Sequence, residues 1–296
     1  MPKVLITIPH YYNPKGDGRY GSTKPNPQPR INAVTQCIRA LHTTYAAPQE
    51  YWVPAGDRLH PHQANQQSQL QLDIVLCTTQ GAHLLDQLPF GEDVYTHHPT
   101  TCEPMMLGFE CHAVLADHLG EYDFYGYMED DLVLHDPAFW HKLHQFNAST
   151  DDTDVLQPNR FEFIHQFKKN NQATGQKPKT IFKKVYIDFE LRDIEALETA
   201  SYTLNQTDQT ISFIHTSNPH SGCFFLNQAK MARWAAQPLF LDRATSYVGP
   251  LESAASLGLM RTFRVYKPAP ACANYLEIQH YGQVWGHQLA GVRFAS

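Results

Sequence analysis

Residues 122–140 read Tyr122-Asp123-Phe124-Tyr125-Gly126-Tyr127-Met128-Glu129-Asp130-Asp131-Leu132-Val133-Leu134-His135-Asp136-Pro137-Ala138-Phe139-Trp140. The aromatic first part has the composition and length of a buried strand, and it runs straight into three consecutive acids. A hydrophobic turn and a helix opened by Pro137 follow. Adjacent carboxylates repel one another and are costly to bury unless a cation or strong donors balance them. Open α/β sheets bind ligands at the carboxyl ends of their strands, so acids in that position point to a ligand site. A divalent cation shared between one or two carboxylates and diphosphate oxygens would balance the charge. The bland alternative is an exposed acidic turn capping the next helix.

The surrounding chain alternates strands and helices. Val4 to Pro9 is β-rich, and His10 to Arg30 holds four Pro and three Gly without apolar periodicity, so a long loop follows the first strand. Ile31, Val34, Ile38 and Leu41 then fall at helical spacing. Leu72 to Thr79 reads as a second buried strand, Ala82 to Leu88 as a short helix, and Glu103 to Leu119 as a helix with Pro104 in its first turn. Later come strands at Ile211 to Ile214 and Ser221 to Leu226, and a helix from Asn227 to Trp234. The basic, apolar-poor stretch 168–180 is expected to be a mobile loop, either simply solvated or closing over an anionic ligand. This order predicts an α/β fold with a mixed, mostly parallel central sheet flanked by helices. No internal repeat or low-complexity tract is present.

Composition narrows the function. The chain has 296 residues, 42% of them hydrophobic and 18% charged, enough to bury a sizeable core. Its formal net charge of −6 argues against a general nucleic-acid binder, which needs the opposite sign. No window approaches the roughly 18 consecutive apolar residues of a membrane span, and Met1 to His10 is too short in apolar content for a secretion signal. A cytoplasmic protein is expected. The six cysteines are scattered without a C-x-x-C pair and are expected to be reduced. The 17 histidines form no short ligand cluster, which disfavours a structural zinc site and leaves carboxylates to lead any metal chemistry.

The Glu129-Asp130-Asp131-Leu132 segment resembles the DXD motif of GT-A fold glycosyltransferases, and locally the E-D-D-L pattern of the inverting N-acetylglucosaminyltransferases of N-glycan synthesis. The match is tight over about a dozen residues and loose in strand and helix order over most of the chain. The resemblance implies a GT-A-like (Rossmann-like) fold with a nucleotide-sugar half, 1–135, and an acceptor half, 136–296, fused onto the same sheet. It implies that Asp131 is the principal ligand of Mn2+ (or Mg2+), with Glu129 and Asp130 toward a nucleotide sugar. The segment Ile8 to Asn13 takes the place of the family's nucleobase and ribose loop, so Pro9, Tyr11 and Tyr12 become donor-site residues and Arg30 a phosphate contact. By order along the chain, His280 fits a late second metal ligand, with His287 as the fallback. Glu252, just past Gly249-Pro250 at the start of a helix, fits the carboxylate that deprotonates an acceptor hydroxyl, which a helix amino terminus keeps ionised. Ser221 and Gly222 fall where the family builds its acceptor face, and Trp285 is a ring suited to an apolar sugar face. Arg160 and Glu162 read as a structural ion pair.

The expected activity is metal-dependent transfer of a sugar from a nucleoside-diphosphate donor, UDP-sugar favoured, to a saccharide or other hydroxyl acceptor. Inversion follows if Glu252 acts as base in a single displacement. Polysaccharide biosynthesis is the setting the family implies for an enzyme without a membrane anchor. Two other classes stay open: a metal-dependent phosphohydrolase or nucleotidyltransferase, which would turn over the nucleotide without an acceptor, and a non-catalytic nucleotide- or carbohydrate-binding protein.

Overall fold

Val4 to Pro9 are all buried, the pattern of a central strand covered on both faces. In the computed structural model, which describes residues 1–16, 18, 20–168, 179–188, 202–205, 210–216 and 219–291, this strand is the middle of the main sheet. In chain order the strands are β1 Lys3–Pro9, β2 Glu50–Ala55, β3 Arg58–Gln63, β4 Gln71–Thr79, β5 Thr96–Thr100, β6 Phe124–Met128, β7 Leu132–Val133 and β8 Asp154–Leu156. There follow β9 Asn159–Lys168, β10 Lys179–Tyr186, β11 Tyr202–Asn205, β12 Thr210–His215, β13 Cys223–Asn227, β14 Arg264–Pro268 and β15 Glu277–His280. The helices are α1 Gln28–Leu41, α2 Leu107–Asp117, α3 Phe139–Ser149, α4 Gln228–Ala235, α5 Pro250–Glu252, α6 Gly258–Thr262 and α7 Val284–Gly291, with a π turn, Ser253–Leu257, joining α5 to α6.

The central sheet has the order β13-β6-β1-β4-β5. β1 runs parallel to β4 and β6, β4 runs parallel to β5, and only β13 is antiparallel. Alternation along β1 divides the core in two. Val4, Ile6 and Ile8 meet Val34, Cys37, Ile38 and Leu41 of α1, whereas Leu5 belongs with Leu107, Cys111, Val114 and Leu115 of α2. The fold is thus α/β with a mixed, mostly parallel sheet, as the strand and helix order implies. Strand β13 comes from the second half of the chain and is hydrogen-bonded to β6 of the first. Smaller sheets, β10-β9-β15-β7 and β11-β12-β14-β8, extend from this body, and β2 and β3 form a separate hairpin. Among the described residues no helix is long and apolar enough to cross a membrane, and the cysteines are free.

Two local expectations need correction. Residues 82–88 form no helix beyond the single 3-10 turn Leu85–Gln87, because Pro89 stops it from growing. The stretch 168–180 is bounded by structure: Lys168 ends β9 and pairs with Lys179, which begins β10. Strand β10 is mostly exposed and so carries no one-sided apolar pattern to betray it. Residues 169–178 lie outside the described residues.

Helix α4 contains a lysine in an unfavourable place. Asn227 caps it by accepting from Lys230 N at 2.9 Å, and the Lys230 side chain is buried beside the Phe146 ring, with Nζ donating to Asn147 Oδ1. Burial lowers the Lys230 pKa to about 8. The unfolded chain holds that proton to about pH 10.4 and the folded chain only to about pH 8, so between these values unfolding takes up a proton and stability rises with pH. Lys230→Met is expected to be more stable than wild type at pH 7 by up to about 3 kcal/mol, the pKa difference expressed as free energy and reduced by the lost hydrogen bond to Asn147. The advantage should shrink by pH 10. Urea unfolding at both pH values measures this, and an equal advantage at each would refute it.

Candidate functional site

The chain leaves β1 through α1 on one face toward β4, and returns from β5 through α2 on the other face to β6. Departure in opposite directions makes a crevice outside the carboxyl ends of β1 and β6, where open α/β sheets hold ligands. His10 follows β1 at this point, and Glu129, Asp130 and Asp131 follow β6.

Asp130 is buried and held from two sides. Its Oδ2 lies 2.6 Å from His10 Nδ1, and its Oδ1 meets the Arg30 guanidinium. His10 Nε2 accepts from Leu84 N at 3.1 Å, so the ring proton resides on Nδ1 and is donated to Asp130. Arg30, in the first turn of α1, also donates to Asp131 Oδ2 at 3.0 Å. Burial acts to raise the Asp131 carboxyl, but His280, Arg30 and Arg160 outweigh it and hold the group below the ordinary carboxylate range. Asp131 Oδ1 is buried and has no hydrogen-bond partner among the described residues.

Strand β15 delivers His280 to the same place. It pairs antiparallel with β7, directly after the acids, and parallel with β9. Tyr281 N donates to the Asp131 carbonyl at 2.7 Å, and His280 Nε2 stands 3.8 Å from Asp131 Oδ2. The other ring nitrogen, Nδ1, is 2.8 Å from Oε1 of the buried Glu162 on β9, whose Oε2 accepts from Gly286 N at 2.6 Å. The expected Arg160–Glu162 ion pair is therefore replaced. Both residues lie on one face of β9, yet each finds a closer partner on another element.

Arg160 turns to Glu252. Its Nη1 is 3.2 Å from Glu252 Oε1, which His220 Nε2 also approaches to 2.8 Å, while Oε2 of this buried carboxylate has no partner among the described residues. Arg160 is fixed by Asp188, which accepts from its backbone N at 2.7 Å, from its Nε at 3.0 Å, and from Lys267 Nζ at 2.7 Å. Glu129 lies between the two groups. Burial, with Glu252 and Asp131 adding, pushes its carboxyl well above the usual range, and Arg160 and Arg30 offset only part of this. Gly222, at φ +61°, packs so closely that a Cβ there would stand 3.1 Å from the Glu129 carboxyl carbon. Ser221 Oγ donates to the Pro158 carbonyl at 3.0 Å. The π turn after Glu252 leaves carbonyls for outside donors, since Gln157 Nε2 reaches Ala255 O at 3.4 Å.

The structure thus brings together Arg30, Glu129, Asp130, Asp131 and His280, with Glu252, Ser221 and Gly222 alongside. Pro9 ends β1 beside them. Tyr12 is instead packed in the core, its hydroxyl donating to Lys24 O at 2.7 Å, so Tyr11 is the more accessible of the two rings. Arg30 contacts the acids rather than projecting freely toward a phosphate. Trp285 is exposed on α7, beside Gly286, and His287 lies against His165 and Gln283 rather than against the acids. Of the segment His215 to Gly222, residues 217 and 218 lie outside the described residues. Sequence reasoning missed His10, His220, Asp188 and Lys267 as partners.

For a divalent cation, the unpartnered Asp131 Oδ1 and His280 Nε2, which stands 3.8 Å from the other oxygen of the same carboxylate, are suitable donors. Among the described residues no three His, Cys, Asp or Glu side chains are grouped to hold a metal by themselves. A cation at this place would have Asp131 and His280 as its protein donors, and the rest of its shell would have to come from a ligand or water.

Asp188 joins two buried cations, and removing one member of such a group leaves uncompensated charge. Asp188→Asn is expected to lower stability by about 3–5 kcal/mol in urea unfolding; a loss under 1 kcal/mol would show that the group is solvated. No family model matches this chain, and no match to it is found among curated proteins.

Proposed function

We propose that the protein is a metal-dependent glycosyltransferase of GT-A type, moving a sugar from a nucleoside-diphosphate donor, UDP-sugar favoured, to a hydroxyl acceptor. The observation that carries this reading is the meeting of Asp131 with His280 in the crevice at the ends of β1 and β6, with Glu252 nearby. Asp131 and His280 would hold Mn2+ or Mg2+, which when bound offsets the charge of the diphosphate leaving group.

The remaining chemistry belongs to the chain. Arg30 pairs with both Asp130 and Asp131, offsetting part of their charge and holding them beside the proposed donor site. Glu252 acts as base through Oε2, because Arg160 and His220 both occupy Oε1 and fix the carboxylate plane. An acceptor hydroxyl donating to Oε2 would give it the missing partner, and a single displacement from that side inverts the anomeric centre. Glu129 and the close approach at Gly222 border the space between donor and base.

Thermal unfolding with UDP, GDP, CMP and dTDP, each with and without Mn2+, tests the donor site. One nucleoside diphosphate is expected to stabilise the protein only with Mn2+, by about 2.7 kcal/mol at a hundredfold excess over Kd. The shift should vanish in Asp131→Ala. No shift with any nucleotide under any metal condition would end this reading, and nucleotide hydrolysis without an acceptor would favour the phosphohydrolase. Glu252→Gln is expected to keep the ligand-induced shift while losing about 10²–10⁴-fold in transfer rate, measured as nucleoside diphosphate released with acceptor present. Retention of the wild-type rate would exclude Glu252 as the base.

A further inference from the structure

Glu162 is completely buried, and both of its oxygens are in use. Oε2 accepts from Gly286 N at 2.6 Å, and Oε1 meets His280 Nδ1 at 2.8 Å. The first contact depends on a glycine: a Cβ at position 286 would lie 2.7 Å from Ile164 Cγ2 and 3.0 Å from Glu162 Oε2, so α7 could not come close enough with a side chain there. A carboxylate has no proton to offer, so the hydrogen between Glu162 and His280 belongs to the imidazole at Nδ1. In the neutral ring that leaves a lone pair on Nε2, the nitrogen 3.8 Å from Asp131 Oδ2.

We infer that Glu162 is a positioning residue that sets the tautomer and ring orientation of His280, making Nε2 a metal donor, with Gly286 of α7 locking Glu162 in turn. The inference rests on the metal-site reading above. Carboxylate partners of this kind orient ligand histidines, and their loss typically weakens metal binding about 10–100-fold. The lock supplies a sharper test. In Glu162→Gln the Gly286 N–H must still be met by an oxygen, so the amide oxygen stays there and the NH2 group turns to His280. An NH2 group donates, so Nδ1 must now accept, and the ring proton moves to Nε2. The side chain keeps its size while the metal-facing lone pair is lost.

Ring-nitrogen NMR of His280 in the metal-free protein at pH 9 reads the proton position, and Mn2+ titration with and without UDP reads the affinity. Wild type is expected to carry its proton on Nδ1. Glu162→Gln is expected to carry it on Nε2 and to bind Mn2+ about 10–100-fold more weakly, with a metal-free melting temperature near that of wild type. A wild-type proton on Nε2 overturns the inference, even if the variant does not fold. So does a folded variant that binds Mn2+ as tightly as wild type, while leaving the metal site itself standing. Wild type that binds no Mn2+, with or without UDP, overturns both.

Discussion

Six carboxylates are drawn to the crevice and the region beside it: Glu129, Asp130, Asp131, Glu162, Asp188 and Glu252. Such crowding is costly unless cations or donors offset it, and Glu129, whose carboxyl is pushed well above the usual range, is offset only in part. The partners come from distant elements: Arg30 from α1, Arg160 from β9, Lys267 from β14, His280 from β15 and His10 from the end of β1. These contacts tie the smaller sheets to the central one. The pairing of β15 with both β7 and β9 brings His280 to Asp131 and Glu162 at once.

The two charge groups are built differently. Around Asp130 both oxygens meet a charged or polar partner, Oδ2 the His10 ring and Oδ1 the Arg30 guanidinium, and the two nitrogens of the buried His10 join Asp130 to the turn at Leu84. Around Asp131 and Glu252 one oxygen each has no partner among the described residues while the other is fixed. A buried unpaired carboxylate oxygen is unfavourable in the free protein and becomes favourable when a ligand supplies the missing donor or cation. The pattern separates an acid whose two oxygens both meet protein groups from two acids that each keep one oxygen open to a ligand.

What could be read in the sequence was local. The run Val-Leu-Ile-Thr-Ile marked β1, the spacing Ile31, Val34, Ile38, Leu41 marked α1, and the acids after an aromatic strand marked the crevice. His280 is picked out by its order along the chain and Glu252 by its place at the start of a helix after Gly249-Pro250, and both lie near the acids that follow β6. Pairings across the fold were not legible, because they depend on strand register. Nothing in Arg160-Phe161-Glu162 tells that one charge goes to Glu252 and the other to His280; the parallel pairing of β9 with β15 decides it. Tyr11 and Tyr12 looked alike, and only the path of the loop buries one ring. The β2–β3 hairpin is exposed and weakly patterned, although Gly56-Asp57 between the paired Ala55 and Arg58 is a usable turn signal.

The reversed direction of β13 divides how sequence change is felt along this part of the chain. A parallel strand would bring its end to the crevice and hand its following loop to the ligand. Strand β13 instead begins there, with Ser221 and Gly222 beside Glu129, and ends at the opposite edge where Asn227 caps α4. Drift in the residues that enter β13 therefore reshapes what faces the crevice. Changes in those that leave it are met by the packing of α4, so the two ends of a strand of five residues answer to different surroundings.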